Sequence, residues 1–317
     1  MAKVLSMLVR RYDRNAALLD GRVRPEGLEL DIHEEDDDRV RQGLGLSGAY
    51  DVWEAFAGRY LMDLDAGRRA FTAIPVFVKR TFRHSAIYVR RGGPVGSPAD
   101  LHGRRVGLQH WATTAAIWAK GILAEDYDVD LSAITWVQTS PEDVAWTRPP
   151  WLHLEQADDR RLLDLLLAGD VDAAITSEAW APYENPALDF LFPNYPLLER
   201  AYFARTKIFP IMHCLLVRSS ILDRYPWVAM RLFEAWSAAK QDLLDRLERD
   251  RSVLTSMWFR GLWEEERDAV GSKDTYPWGF GGTAHEVAKL IEYAWDQGLI
   301  TRRYGPADLF YPSTLDT

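Results

Sequence analysis

The stretch Thr72-Ala-Ile-Pro-Val-Phe-Val-Lys-Arg-Thr-Phe-Arg-His-Ser85 runs an apolar strand directly into Lys79, Arg80, Arg83 and His84. Fixed cations and one titratable imidazole just past a strand suit the capture of a carboxylate and the handling of a proton. The plainer alternatives are a basic surface loop and, for His84, a satisfied core histidine. Lys207-Ile-Phe-Pro-Ile-Met-His213 carries a second imidazole inside an apolar strand. Tyr12-Asp13-Arg14 follows the first apolar strand, which makes Tyr12 and Arg14 candidate ligand contacts. Gln109-His110-Trp111-Ala112-Thr113-Thr114 joins a strand to a helix, where free backbone N–H groups favour an anion. Ordinary capping by Thr113 is the competing explanation there.

Other patterns weigh less. Gly43-Leu-Gly-Leu-Ser-Gly48 fits the spacing of a dinucleotide fingerprint. A polar segment precedes it and a strand follows it, which is the reverse of the context that fingerprint needs. Cys214 adjoins His213, and neighbours on an extended strand point to opposite faces, so Cys214 reads as a small core residue. The run Glu34 to Asp38 reads as a solvated loop or helix start. Seven histidines and one cysteine show no paired metal-ligand spacing, so no metal site is expected.

These groups must be held by an alternation of short apolar runs and helical patterns. Leu5 to Val9, Leu28 to His33, Val52 to Phe56, Thr72 to Val78 and Ala86 to Val89 read as strands. Asp13 is placed to cap a short helix that stops at Gly21. Gly92, Gly93, Pro94, Gly96 and Pro98 form a turn-rich stretch, after which the pattern restarts. Strands at Arg105 to Leu108, Ile134 to Val137, Trp151 to Leu154 and Val171 to Thr176 alternate with helices at Thr113 to Leu123 and Asp159 to Leu167. After the apolar stretch Ile208 to Val217, a long helix opens on Pro226. A last helix is expected to start at Thr283, with Glu286 completing a capping box. This order implies an α/β fold of two lobes with a ligand cleft between them. Residues 1–100 and 208–317 form lobe one and residues 101–207 lobe two, with crossings near 90–104 and 205–217.

The chain has 317 residues, 47% of them apolar, enough for two ordinary domains with real cores. A formal net charge of -9 argues against a nucleic-acid or anionic-membrane partner. One cysteine excludes an intramolecular disulfide framework. No apolar window is long enough to span a membrane, and the first residues lack a secretory pattern. A cytoplasmic protein is expected. Self-association into a homo-oligomer is left open.

Several segments together resemble the 4,5-dihydroxyphthalate decarboxylase family. They are Tyr12-Asp-Arg-Asn-Ala-Ala-Leu-Leu-Asp-Gly-Arg-Val-Arg-Pro-Glu-Gly27, Ala73-Ile-Pro-Val-Phe77, Phe82-Arg-His-Ser-Ala-Ile-Tyr-Val89, Asp100-Leu-His-Gly-Arg-Arg-Val-Gly107, Thr114-Ala-Ala-Ile-Trp118 and Ile208-Phe-Pro-Ile-Met-His213. They run in order over most of the chain, and the Phe-Arg-His-Ser and Phe-Pro-Ile-Met-His strings are the more specific. The resemblance implies a fold similar to the type 2 periplasmic binding proteins. It also implies decarboxylation of a hydroxylated aromatic acid, a small-molecule aromatic carboxylate, without an organic cofactor. On that reading His84 and His213 are the catalytic acid and base. Tyr12, Arg14, Arg80, Arg83, Gln109, His110, Thr113 and Thr114 bind the substrate. A non-catalytic solute-binding protein of the same fold is the rival expectation.

Overall fold

The computed structural model describes residues 2–157, 160–176, 181–250 and 254–317. Asp159, the expected start of one helix, lies outside them. The strands are β1 (Lys3–Val9), β2 (Leu28–Glu34), β3 (Val52–Phe56), β4 (Phe71–Arg80), β5 (Ile87–Arg90), β6 (Arg105–Leu108), β7 (Thr135–Gln138), β8 (His153–Gln156), β9 (Ala173–Ile175), β10 (Leu188–Phe190) and β11 (Ile211–Arg218). The helices are α1 (Ala16–Leu19), α2 (Asp38–Leu46), α3 (Ala57–Asp65), α4 (Thr114–Tyr127), α5 (Leu162–Ala168), α6 (Ala181–Glu184), α7 (Tyr195–Thr206), α8 (Ser219–Arg224), α9 (Trp227–Arg249), α10 (Phe259–Val270) and α11 (Phe280–Asp296).

Two sheets form, in the orders β2-β1-β3-β11-β4 and β10-β5-β9-β6-β7-β8. The sequence patterns explain these positions. Edge strand β2 alternates buried and exposed residues, whereas β3 and β11, each flanked on both sides, are buried nearly throughout. In the first sheet β1, β2 and β3 are mutually parallel, and β11 runs antiparallel between β3 and β4. The carboxyl ends of β1 to β4 and the amino end of β11 therefore share one edge.

The chain changes sheet between Arg80 and Ile87, because β5 pairs with β9 and β10. That is earlier than the expected crossing at 90–104. The turn-rich stretch at 92–98 follows β5 and leads into β6, so it lies inside the second unit. Turn residues mark a chain reversal, and a reversal within one sheet carries the same signal as a crossing between two. The return crossing lies between α7 and β11, and the two crossing segments run side by side, with Thr81 N donating to Pro210 O at 3.1 Å.

One apolar core runs from the first sheet through α4 into the second. Trp118 on α4 donates its indole N–H to Ile211 O at 2.8 Å, and Gly58 N at the start of α3 donates to Thr114 Oγ1 at 2.9 Å. Helix α11 starts at Phe280, after Gly279 at φ +92, and not at Thr283. Glu286 does not close a capping box, because Arg80 and Phe209 N take its carboxylate. Gly43 and Gly45 lie within α2, where a Cβ on Gly45 would sit 2.1 Å from the Trp53 ring. That glycine serves packing, not a phosphate. Among the described residues no helix is long and apolar enough to cross a membrane.

Candidate active site

The shared edge of the first sheet gathers ionisable groups from five elements. Glu54, in the middle of β3, is fully buried. Its Oε1 lies 2.5 Å from His213 Nδ1 on β11, accepts from Tyr12 OH at 2.7 Å and pairs with Arg41 at 3.2 Å. Its Oε2 accepts from Arg10 N at 3.1 Å. Arg41 is itself buried and continues to Asp38 and to Glu35 O. Asp38 then reaches Lys79 Nζ, at the end of β4, at 2.6 Å. The result is a chain of alternating charge, Lys79, Asp38, Arg41 and Glu54, that ends on the His213 ring.

Burial alone would push the Glu54 carboxyl up, but the His213 hydrogen bond, Arg41 and the Tyr12 hydroxyl hold it down at about 2. Burial also pushes the His213 imidazolium down, against the opposing pull of Glu54. The two directions compete over one proton. An ionised Glu54 beside a neutral His213 satisfies both, since Arg41, Tyr12 and Arg10 N still neutralise the carboxylate when the ring is uncharged. Burial raises the Asp38 carboxyl, but Lys79 and Arg41 beside it lower it further, so it too is ionised.

The other expected residues divide. Arg83 is 5% exposed, and its Nε donates to Met212 Sδ at 3.1 Å. It makes no ion pair among the described residues. Burial lowers it to about 10, and the nearby charges of Glu199 and Asp38 oppose that without pairing, so it stays cationic. Arg80 differs. Its fork donates to Phe209 O at 3.1 and 2.7 Å and to Pro277 O, and it pairs with buried Glu286. Arg80 is thus spent mainly on clamping the crossing.

His84 stands apart from His213. Its ring is surrounded by Tyr127, Phe192 and Tyr202 at 5.4 to 6.1 Å between centroids, and its Nδ1 is buried with no partner. Burial, aided by the charge of Arg205, pushes it down to about 4, which leaves it neutral near pH 7. Arg14 is sandwiched between the Tyr12 and Tyr276 rings, at 4.1 and 4.2 Å, and donates to Val78 O. From the second sheet, half-buried Gln109 accepts from Ser140 N through its backbone O, and His110 Nδ1 faces Pro141 O at 2.9 Å. Thr113 begins α4 without a side-chain cap, and the Thr114 hydroxyl is occupied by Gly58 N.

Two hollows, of about 430 and 270 Å³, lie elsewhere: one beside Arg105 and Arg160, the other between α4 and α11. The arginines of the first are paired with Glu155 and Asp170, which leaves that hollow no free cation of its own. Glu54, Arg41 and Asp38 were not anticipated from the sequence. One signal was present, since Val-Trp-Glu-Ala-Phe puts a lone carboxylate in a wholly apolar strand, and buried glutamate is rare unless paired. Asp38 carried no signal, because its acidic neighbours read as solvated.

No family model matches the chain. A protein of Comamonas testosteroni named 4,5-dihydroxyphthalate decarboxylase is 32% identical over 324 residues, covering 99% of this chain and 98% of the relative. One of the same name from Pseudomonas putida is 30% identical over 197 residues, covering 59% of this chain and 76% of that one. Among solved structures, the periplasmic aliphatic sulphonate binding protein SsuA of Escherichia coli superposes with a TM-score of 0.58 at 11% identity, over all of both chains. The Candida albicans CA3427 gene product, described as having the generic periplasmic binding protein fold, gives 0.54 at 11% identity over 96% of this chain and 92% of that one. These likenesses establish the two-lobed periplasmic-binding-protein-like fold, and the near-complete match to the Comamonas protein places the chain in the 4,5-dihydroxyphthalate decarboxylase family.

Proposed function

We propose that the protein removes one carboxyl group from a hydroxylated aromatic dicarboxylic acid, working at the shared edge of the first sheet. The observation that carries this is the identity with a decarboxylase along nearly the whole chain. The site supplies groups suited to the reaction. Arg83, a buried cation with no carboxylate of its own, receives the carboxylate that stays on the ring. His213 turns toward the hydroxyl para to the departing carboxylate. His84, neutral within its aromatic surroundings, serves packing.

His213 Nε2 takes the proton of the para hydroxyl, and electron density moves onto the ring carbon that bears the leaving carboxylate. That carbon takes a proton from water and becomes tetrahedral. The carbon–carboxylate bond then breaks, its electron pair restores the aromatic ring, and the oxygen recovers its proton from His213. Net, one proton is consumed and one carbon dioxide released. A proton group held at hydrogen-bond reach is worth about 10² to 10⁴-fold in such steps. A small aromatic carboxylate is the partner on this reading, and the cytoplasm the compartment.

Incubating the purified protein with 4,5-dihydroxyphthalate in D2O tests the proposal. Carbon dioxide should appear one-to-one with product, and product should carry one deuterium on the vacated ring carbon. Saturable binding without release of carbon dioxide would make the protein a solute binder instead.

A further inference from the structure

Resting on that reading, we propose that Glu54 is a positioning residue that fixes His213 in one tautomer, with the proton on Nδ1 and the lone pair of Nε2 presented to the substrate. An ionised carboxylate only accepts hydrogen bonds. Glu54 Oε1 already accepts from Tyr12 OH and Arg41, and Oε2 accepts from Arg10 N. The ring nitrogen 2.5 Å from Oε1 must therefore be the protonated one. The only side-chain hydrogen bond of His213 among the described residues is made through Nδ1, so Nε2 is the nitrogen left to act. Rotation of the ring is limited by Phe56, whose ring centroid lies 4.9 Å away.

The surroundings serve this one contact. Burying a carboxylate at the centre of a sheet is costly, and an apolar residue would fit the strand pattern of β3 better. Four donors from four elements converge to keep this one charged: Arg10 after β1, Tyr12, Arg41 on α2 and His213 on β11. A carboxylate held in that way selects the tautomer of the histidine it touches.

Glu54→Gln tests the inference, because glutamine keeps the shape and an acceptor for Tyr12 but offers an amide N–H to Nδ1. Nitrogen-15 NMR of histidine-labelled protein, assigned with His213→Gln, reads the tautomer directly. Wild-type protein should show a protonated Nδ1 and an unprotonated Nε2, and Glu54→Gln should show the reverse. With 4,5-dihydroxyphthalate, kcat should fall by at least about 10²-fold while the dissociation constant stays within about threefold, the scale on which ligand-orienting carboxylates act. Glu54→Asp, which keeps the charge, should keep the wild-type tautomer and recover part of kcat. A proton on Nε2 in the wild-type protein overturns the proposal, as does full turnover in a folded Glu54→Gln. The wild-type spectrum decides even if the variant does not fold. It also decides if no substrate turns over, so failure of the functional reading is told apart from failure of this one.

Discussion

Replacing Arg80 by methionine should unfold the protein at a lower temperature and leave ligand affinity nearly intact. The side chain has 0% exposure and that of its partner Glu286 only 3%. Methionine would leave a buried carboxylate with one remaining donor, Phe209 N at 2.8 Å, and would strip the Arg80 donors from the carbonyls of Phe209 and Pro277. Breaking one side of a buried pair costs roughly 3–5 kcal/mol. With an unfolding entropy of about 2.1 cal/mol/K per residue, a chain of 317 residues shifts by roughly 1.5 °C per kcal/mol, so the midpoint should fall by roughly 4–8 °C. The cost comes mostly from the stranded charge, so adding Glu286→Gln to Arg80→Met should recover a large part of it. Circular dichroism melts of the two variants and the wild type read this, with titration of the aromatic acid at a temperature where all are folded. A wild-type midpoint combined with lost binding would refute the reasoning and return Arg80 to the ligand.

Arg83→Met should behave in the opposite way, raising the dissociation constant by at least about tenfold with a midpoint shift of a few degrees at most, since Arg83 has no ion pair to break among the described residues; calorimetric titration beside a melt checks both. His84 should make the protein less stable in acid. Its folded value of about 4 lies below the ordinary 6.5, so the unfolded chain binds the extra proton first and stability is lost as pH falls from 6.5 to 4. At about 1.4 kcal/mol per pKa unit the loss between these pH values is about 2–3 kcal/mol, and urea melts at pH 7.5 and 4.5 should show that difference shrinking in His84→Gln. Gly58→Ala should cost about 1–3 kcal/mol, because the new Cβ would lie 2.6 Å from Ile117 Cδ1 and 2.8 Å from Ala112 O, and backbone cannot yield as a side chain can; an unchanged urea midpoint would show that α3 and α4 are not in tight contact.

The elements were more legible than the crossings, and the crossings more than the site. β3 and β6 have the expected bounds, and the remaining strands of the first sheet differ from expectation by a few residues at their ends. Apolar patterning is local, so a single sequence carries it. The first crossing was misplaced because glycine and proline mark any reversal. Glu286 was read as a cap because its spacing from Thr283 fits a capping box, but Arg80, some two hundred positions away, competes for it and wins. The cation-rich segment holds one arginine with no ion pair among the described residues and one committed to Glu286, and their spacing does not tell them apart. Glu54 escaped notice because a carboxylate buried by tertiary partners looks, in sequence, like an interruption of a strand.

The string Phe209-Pro-Ile-Met-His213 shows what a short specific motif encodes when it lies at a crossing. Phe209 gives its N–H to Glu286 and its carbonyl to Arg80, and Pro210 O accepts from Thr81 N. Ile211 O accepts from Trp118, Met212 Sδ accepts from Arg83, and His213 meets Glu54. Phe209, Pro210 and Met212 thus meet the crossing segment at 80–83, while Ile211 meets α4 and His213 meets β3. The order is fixed by register: His213 pairs with Phe56 on β3 and Lys79 on β4, with irregularities on either side of it in the β4 ladder. A slip of one residue would turn Cys214 or Met212 toward Glu54 and send the imidazole to the opposite face. The site therefore requires β11 between β3 and β4, because that register brings His213 to the carboxylate that also accepts from Arg10 N, Tyr12 and Arg41.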